Sequence, residues 1–211
     1  MPKQNRVNPF GELVAIQAKG SFMGNRGVLH DSNGALTAKR WTHPHWIICA
    51  LEFKDRKRTP MTPGFYTELF FFDEATALAA GHRPCAECRR EAFNQFKKAW
   101  VEGNAHLGFS SKTSIGEIDR VMQQERATPN REKVTFKDEL GNLPCGSFFT
   151  MTDQQNQAFL VWQDALWEWS PIGYEKVEQL PPGTLVTILT PVSTVNALRA
   201  GFIPLVTLSS G

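Results

Sequence analysis

Apolar and polar positions alternate over short distances through the first seventy residues and again from about residue 148. Between those stretches they recur at helical spacing. Residues 12–18, 26–30 and 35–39 are short runs of the alternating kind. Asp31-Ser32-Asn33-Gly34 separates the last two and predicts a hairpin, because Asn and Gly accept positive φ. Residues 46–51, Trp-Ile-Ile-Cys-Ala-Leu, predict a buried strand, and the aromatic run 65–72 predicts another. Gly20, Gly24 and Gly27 surround Phe22-Met23 and Asn25-Arg26 and predict a tight loop. A phosphate cradle would need a strand–Gly-x-Gly–helix setting that this segment lacks.

Helical signals begin at Asp73, an N-cap residue ahead of the Ala/Leu run 74–80, with Gly81 as C′ residue and Pro84 as a stop. A second helix is predicted to open around residues 85–87 and run to about 102, burying Ala92, Phe93, Phe96 and Trp100. Ser114-Ile115-Gly116-Glu117 has capping-box spacing and opens a helix with the stripe Ile118, Val121 and Met122. Strands return at 158–162 and 166–169, joined by Gln163-Asp164-Ala165, and at 185–189 after Pro181-Pro182-Gly183. A last helix, 193–200, ends at Gly201. Residues 77–84 and 197–204 share one pattern, a short helix, a glycine and a proline three residues on, which reads as a common capping solution. The expected fold class is therefore mixed α+β. It comprises a strand-rich part at 1–102 and an α+β part at 114–211 packed into the same domain or beside it, with the boundary at 103–113.

Composition fits this picture: 41% of the 211 residues are hydrophobic and 21% charged, which excludes wholesale disorder and fibrous repeats. No apolar stretch much exceeds six residues, against the roughly 20 a membrane helix needs, and MPKQNRVNPF lacks the apolar core of a secretory signal. A cytoplasmic protein is expected. The net charge of +2 is unevenly placed. Residues 39–100 carry eleven Lys/Arg against seven Asp/Glu, whereas 138–180 carry one against seven. The basic excess at Lys57, Arg58, Arg83, Arg89 and Arg90 would suit phosphates; its plainer reading is a solvated surface. Trp162, Trp167 and Trp169 could stack bases, but core packing is the expectation for them.

The chemistry concentrates at Cys85-Ala86-Glu87-Cys88, directly after Pro84. Two thiols at this spacing can grip one tetrahedral ion, and neighbouring arginines favour the thiolate that metal binding requires. A redox pair and two merely packed thiols are the other readings of Cys-x-x-Cys, and no βαβ pattern supports the redox one here. Cys49 is an upstream third thiol, and His43-Pro44-His45 sets two imidazoles near its strand.

The run Phe71-Phe72-Asp73-Glu74-Ala75-Thr76-Ala77-Leu78-Ala79-Ala80-Gly81-His82-Arg83-Pro84-Cys85-Ala86-Glu87-Cys88-Arg89 resembles the second half of the zinc-binding domain of the Ada family of DNA methyl-damage response proteins. With Cys49 included, the resemblance covers residues about 46–90. It implies a small α/β module at about 40–102 with a four-cysteine zinc site, whose first cysteine accepts a methyl group from a DNA phosphotriester. The family's upstream Cys-x3-Cys becomes Cys49 and Phe53 here, and His82 stands where the family has an aromatic residue. The expected ligands are thus Cys49, Cys85 and Cys88, with His82, His43, His45, Cys145 or a water as the fourth. Cys49 is the expected acceptor, and Lys57, Arg58, Arg83, Arg89 and Arg90 are the expected DNA contacts. The resulting expectation is a zinc-associated, DNA-binding protein of the repair or stress type. The alternatives are a thiol- or zinc-dependent enzyme (alkyl acceptance at Cys49, or hydrolysis) and a metal-free scaffold.

Overall fold

The computed structural model describes residues 2–54 and 59–208. Its N-terminal sheet is built from six short strands: β1 (Arg6–Val7), β2 (Leu13–Val14), β3 (Phe22–Asn25), β4 (Ile47–Cys49), β5 (Leu69–Phe71) and β6 (Arg83–Pro84). They lie in the order β2-β1-β5-β3-β4-β6, with β1·β5 and β4·β6 parallel and the other pairs antiparallel. The second sheet is wholly antiparallel: β7 (Phe136–Glu139), β8 (Phe148–Met151), β9 (Gln154–Trp162), β10 (Ala165–Ser170), β11 (Gly173–Val177) and β12 (Leu185–Ile188), in the order β11-β10-β9-β8-β12-β7. Among the described residues, four α-helices complete the α+β fold: α1 (Glu74–Ala79), α2 (Arg90–Gly103), α3 (Ile115–Arg126) and α4 (Val192–Arg199).

The two-residue period of a strand divides the N-terminal sheet cleanly. Ile48, Leu69 and Phe71 point to one face and are fully buried, while Met23, Ile47 and Phe70 belong to the other. The first face packs against α2, α3 and α4 through Phe96, Trp100, Ile118, Met122 and Leu198. Each such apolar side chain taken from water contributes about 1.5–3 kcal/mol. Residues of α2 and of the C-terminal α4 therefore share one core with the N-terminal strands. Between the sheets lies α1, whose Ala77 and Leu78 join that core while Ala75 and Ala79 pack on Phe148, Ala158 and Leu160 of the second sheet.

Local signals account for the element ends. The Asp73 carboxylate accepts from the Thr76 backbone N–H at 2.8 Å, and Ser114 with Glu117 forms the reciprocal capping box. The 77–84 and 197–204 echo is a shared Schellman cap. The N–H groups of Gly81 and His82 bond to the carbonyls of Leu78 and Ala77, and those of Gly201 and Phe202 to Leu198 and Ala197. The glycines take positive φ of 86° and 99°. Gln163 and Asp164 both have positive φ, a primed two-residue turn that puts Trp162 opposite Ala165. Trp162, Trp167 and Trp169 pack against the α1 side of the second sheet, as core packing requires.

Three expectations need correction. The segment expected to be a tight loop at 20–27 contains β3, and Gly24 serves close packing there. A Cβ at Gly24 would stand 2.1 Å from the Ile47 carbonyl oxygen and 2.8 Å from the Phe71 ring. The hairpin expected across Asn33-Gly34 is reduced to one bridge, His30 to Leu36, because the Asp31 carboxylate takes the N–H groups of Asn33 and Ala35. Helix α2 starts at Arg90 rather than at 85–87, since residues 86–89 form a turn folded around the Cys85 sulfur.

Candidate metal centre

Parallel pairing of β4 with β6 brings the cysteines together. Ile47 faces Arg83 and Ile48 faces Pro84, and the Cys85 N–H bonds to the Ile48 carbonyl at 2.9 Å. One step further along the register, Cys49 and Cys85 lie side by side on the same face. Pro84 ends the pairing, and the following turn carries Cys88 back toward the pair. The three Sγ atoms lie within 4.8 Å of one another. Tetrahedral zinc–thiolate bonds of about 2.3 Å require sulfurs about 3.8 Å apart, so modest side-chain rotation closes the set on one ion. The three thiols are close enough to hold a metal.

The polar surroundings favour negative charge on sulfur. Cys85 Sγ receives hydrogen bonds from the Cys49 thiol and from the Cys88 and Glu87 N–H groups. The Cys49 contribution is the largest, and together they bring Cys85 down to about 5 against the opposing effect of burial. Cys49 is pushed upward, first because it donates to Cys85 and then by burial. Burial also raises Cys88, although the Ala50 N–H bonds to its sulfur. The hydrogen bonds converging on Cys85 thus favour thiolate there, and an arriving cation would displace the protons that the trio still holds.

The cysteines line a cavity of about 510 Å³ together with Asn25, Phe53, Tyr66, Phe70 and three carboxyl side chains, Glu52, Glu68 and Glu87. Among the described residues, no fourth Cys, His, Asp or Glu joins the three thiols. An ion held there would keep one position open toward the cavity, the arrangement of catalytic rather than closed structural sites.

His82, the expected fourth ligand, lies elsewhere. It is fully buried, 4.6 Å from the Phe71 ring and 5.2 Å from the Trp46 ring, and its Nε2 accepts from Arg26 at 3.2 Å. His43 bonds to Asn25, and the exposed His45 places Nδ1 2.6 Å from the Asp119 carboxylate. Cys145 is exposed beside the turn after β9, with its sulfur accepting from the Gln163 N–H. None of these joins the thiol group.

Two of the expected DNA contacts are occupied internally. Arg83 is buried and forms a bidentate pair with Asp119, both bonds 2.8 Å. Arg89 bonds to Glu74 at 2.6 Å and covers the Phe22 ring at 4.4 Å. Arg90 is exposed, and Lys57 and Arg58 lie outside the described residues. The partners Asp119 and Glu74, 36 and 15 positions away in the chain, carry no local signal that they would neutralise these arginines. Glu68 was missed as well: it enters the cysteine cavity as a buried carboxyl next to β5, in a stretch where only the aromatic pattern is visible.

Among the described residues, no helix is long and apolar enough to cross a membrane. No family model, curated protein or solved structure matches the chain.

Proposed function

We propose that Cys49, Cys85 and Cys88 hold a zinc ion, and that the protein is a zinc-thiolate protein of the DNA-damage or stress-response type whose Cys49 accepts an alkyl group. The supporting observation is the convergence of three sulfurs within 4.8 Å on the floor of an open cavity. Thiolate donors select zinc and other soft ions over magnesium or calcium. Bound zinc would stabilise thiolate at neutral pH. In the transfer, Cys49 Sγ attacks the alkyl carbon of a phosphotriester. The S–C bond forms, the C–O bond breaks, and the phosphodiester leaves with the electron pair. The resemblance of residues about 46–90 to the Ada zinc domain points the same way, and Arg90 offers an exposed cation for the phosphate backbone.

A second reading, hydrolysis, is favoured by the carboxyl groups of Glu52, Glu68 and Glu87 in the same cavity, which suit a general base. Metal analysis of freshly purified protein, followed by mass spectrometry after incubation with methyl-phosphotriester DNA, separates the readings. The proposal expects about one zinc per chain, lost in Cys85→Ser and Cys88→Ser, and a single methyl group on Cys49. Zinc without a methyl adduct, but with multiple turnovers on an ester, would establish hydrolysis instead. A folded chain free of metal would overturn both and leave a scaffold.

A further inference from the structure

The two faces of β4 lead to different cavities. Ile47 and Cys49 line the one just described, whereas Trp46 lines a second, of about 910 Å³, bounded by both sheets and the end of α3. Its walls carry Arg26, Arg40, Arg126, Arg131, Lys133 and Lys137, against only Glu12 and Glu132. Both of these carboxylates are exposed. The floor is the unusual part. Arg26 and Arg126 are each 2% exposed, and each guanidinium lies 4.1 Å from the Trp46 ring. Such stacking offsets only part of what desolvating a charge costs.

Counter-ions do not make up the difference. Arg26 donates from Nε to His82 and from Nη1 to the Gly11 carbonyl, and its Nη2 is buried with no partner. Arg126 donates to the carbonyls of Gly81 and Pro44 and to Gln123, and Lys133 to the Ala79 carbonyl at 2.7 Å. Among the described residues, none of the three has a carboxylate within ion-pair distance, in contrast to Arg83 and Arg89. Burial lowers Arg26 and Arg126 to about 9, so both stay cationic at neutral pH, and with Arg26 nearby it lowers Lys133 to about 7, where an arriving anion would favour its charged form. Three cations that border one cavity, with a buried Arg26 donor lacking an acceptor and only Asp119 acting on Arg126 from a distance, make an unfinished anion site.

We propose that this cavity binds a nucleoside monophosphate, with the phosphate in the combined field of Arg26, Arg126 and Lys133 at its wall. Three features favour that ligand over a bare anion. The volume falls within the roughly 300–1,000 Å³ of small-molecule sites. Trp41 is half-buried in the wall with Phe10 and Phe136, offering aromatic faces to a base. The outer carboxylates Glu12 and Glu132 can accept from sugar hydroxyls but would repel a second phosphate.

Calorimetric titration with each of four ribonucleoside monophosphates, inorganic phosphate and a single-stranded oligonucleotide tests this. At least one monophosphate is expected to bind one per chain, and at least tenfold more tightly than inorganic phosphate. Lys133→Met and Arg26→Gln should each weaken it by about 10-fold or more, through the loss of one cation from the site. Arg26→Gln disturbs a buried network, so Lys133→Met and the exposed-site variant Arg40→Ala, expected to lose a few-fold, decide the matter if it fails to fold. The proposal is overturned if no monophosphate binds saturably, if inorganic phosphate binds equally well, if only the oligonucleotide binds, or if Lys133→Met binds like the parent chain.

Discussion

Removing the carboxylate of Asp119 tests how the cysteine turn is held. Asp119 is fully buried on α3, its partner Arg83 has a side chain only 5% exposed, and two 2.8 Å bonds join them. Arg83 is part of the strand that sets Cys85 beside Cys49. In Asp119→Asn the guanidinium stays in place without its counter-charge. An exposed pair would lose about 0–1 kcal/mol, but breaking a buried one costs about 3–5 kcal/mol. His45 adds little, because its side chain is 54% exposed and water can replace the lost acceptor. Against a total stability of about 5–15 kcal/mol, this is a large fraction. With a slope near 3 kcal/mol per molar urea, the unfolding midpoint falls by ~1–2 M. Urea titration followed by far-ultraviolet circular dichroism measures it. The double variant Arg83→Met/Asp119→Leu removes both charges, and most of the lost stability should return, since apolar replacement of a buried pair is often neutral. A loss below about 1 kcal/mol in the single variant, or a double variant as damaged as the single, refutes the reasoning.

Acid should destabilise the chain through His82. Burial, with Arg26 and Arg126 nearby, holds its pKa well below the usual value, so the unfolded chain takes a proton that the folded chain refuses. The His82 contribution is complete above about pH 6.5 and declines below it by up to about 1.36 kcal/mol per pH unit, roughly 2 kcal/mol by pH 5. His82→Phe should lose less stability than the parent chain between pH 7 and 5 in urea titrations; equal losses would count against this account. Tyr174→Phe removes the 2.7 Å bond to the buried Asp73 carboxyl and should cost about 1.5–3 kcal/mol in the same assay. A change within a few tenths would mean that the bond from the second sheet to the head of α1 is dispensable.

What the sequence reveals about this fold is mostly what neighbouring residues decide. Asp73, Ser114 with Glu117, the Gly81 and Gly201 caps and the Gln163-Asp164 turn are contained within a few positions and fold as they read. The cysteine set was legible as residue types, and the β4–β6 register that joins Cys49 to Cys85 supplies the distance. His82 illustrates the limit. Three positions before Cys85 it has the right chemistry, yet it is packed between Trp46 and Phe71, which keeps it from the sulfurs. The short strands β1, β2 and β6 are set by pairing rather than by their own propensity. The cations around Trp46 come from positions 26, 126 and 133, so no local pattern could announce their meeting.

A six-residue helix with every residue hidden also bears on how the chain can be divided. Because α1 shows one flank to each sheet, severing the polypeptide near residues 103–113 would yield two fragments, each with a wound of bare apolar surface where the other belonged. Neither piece would behave as an autonomous module. Mixed together, they would be expected to recombine into a nicked but native particle, with α1 as the keystone that makes the halves mutually dependent.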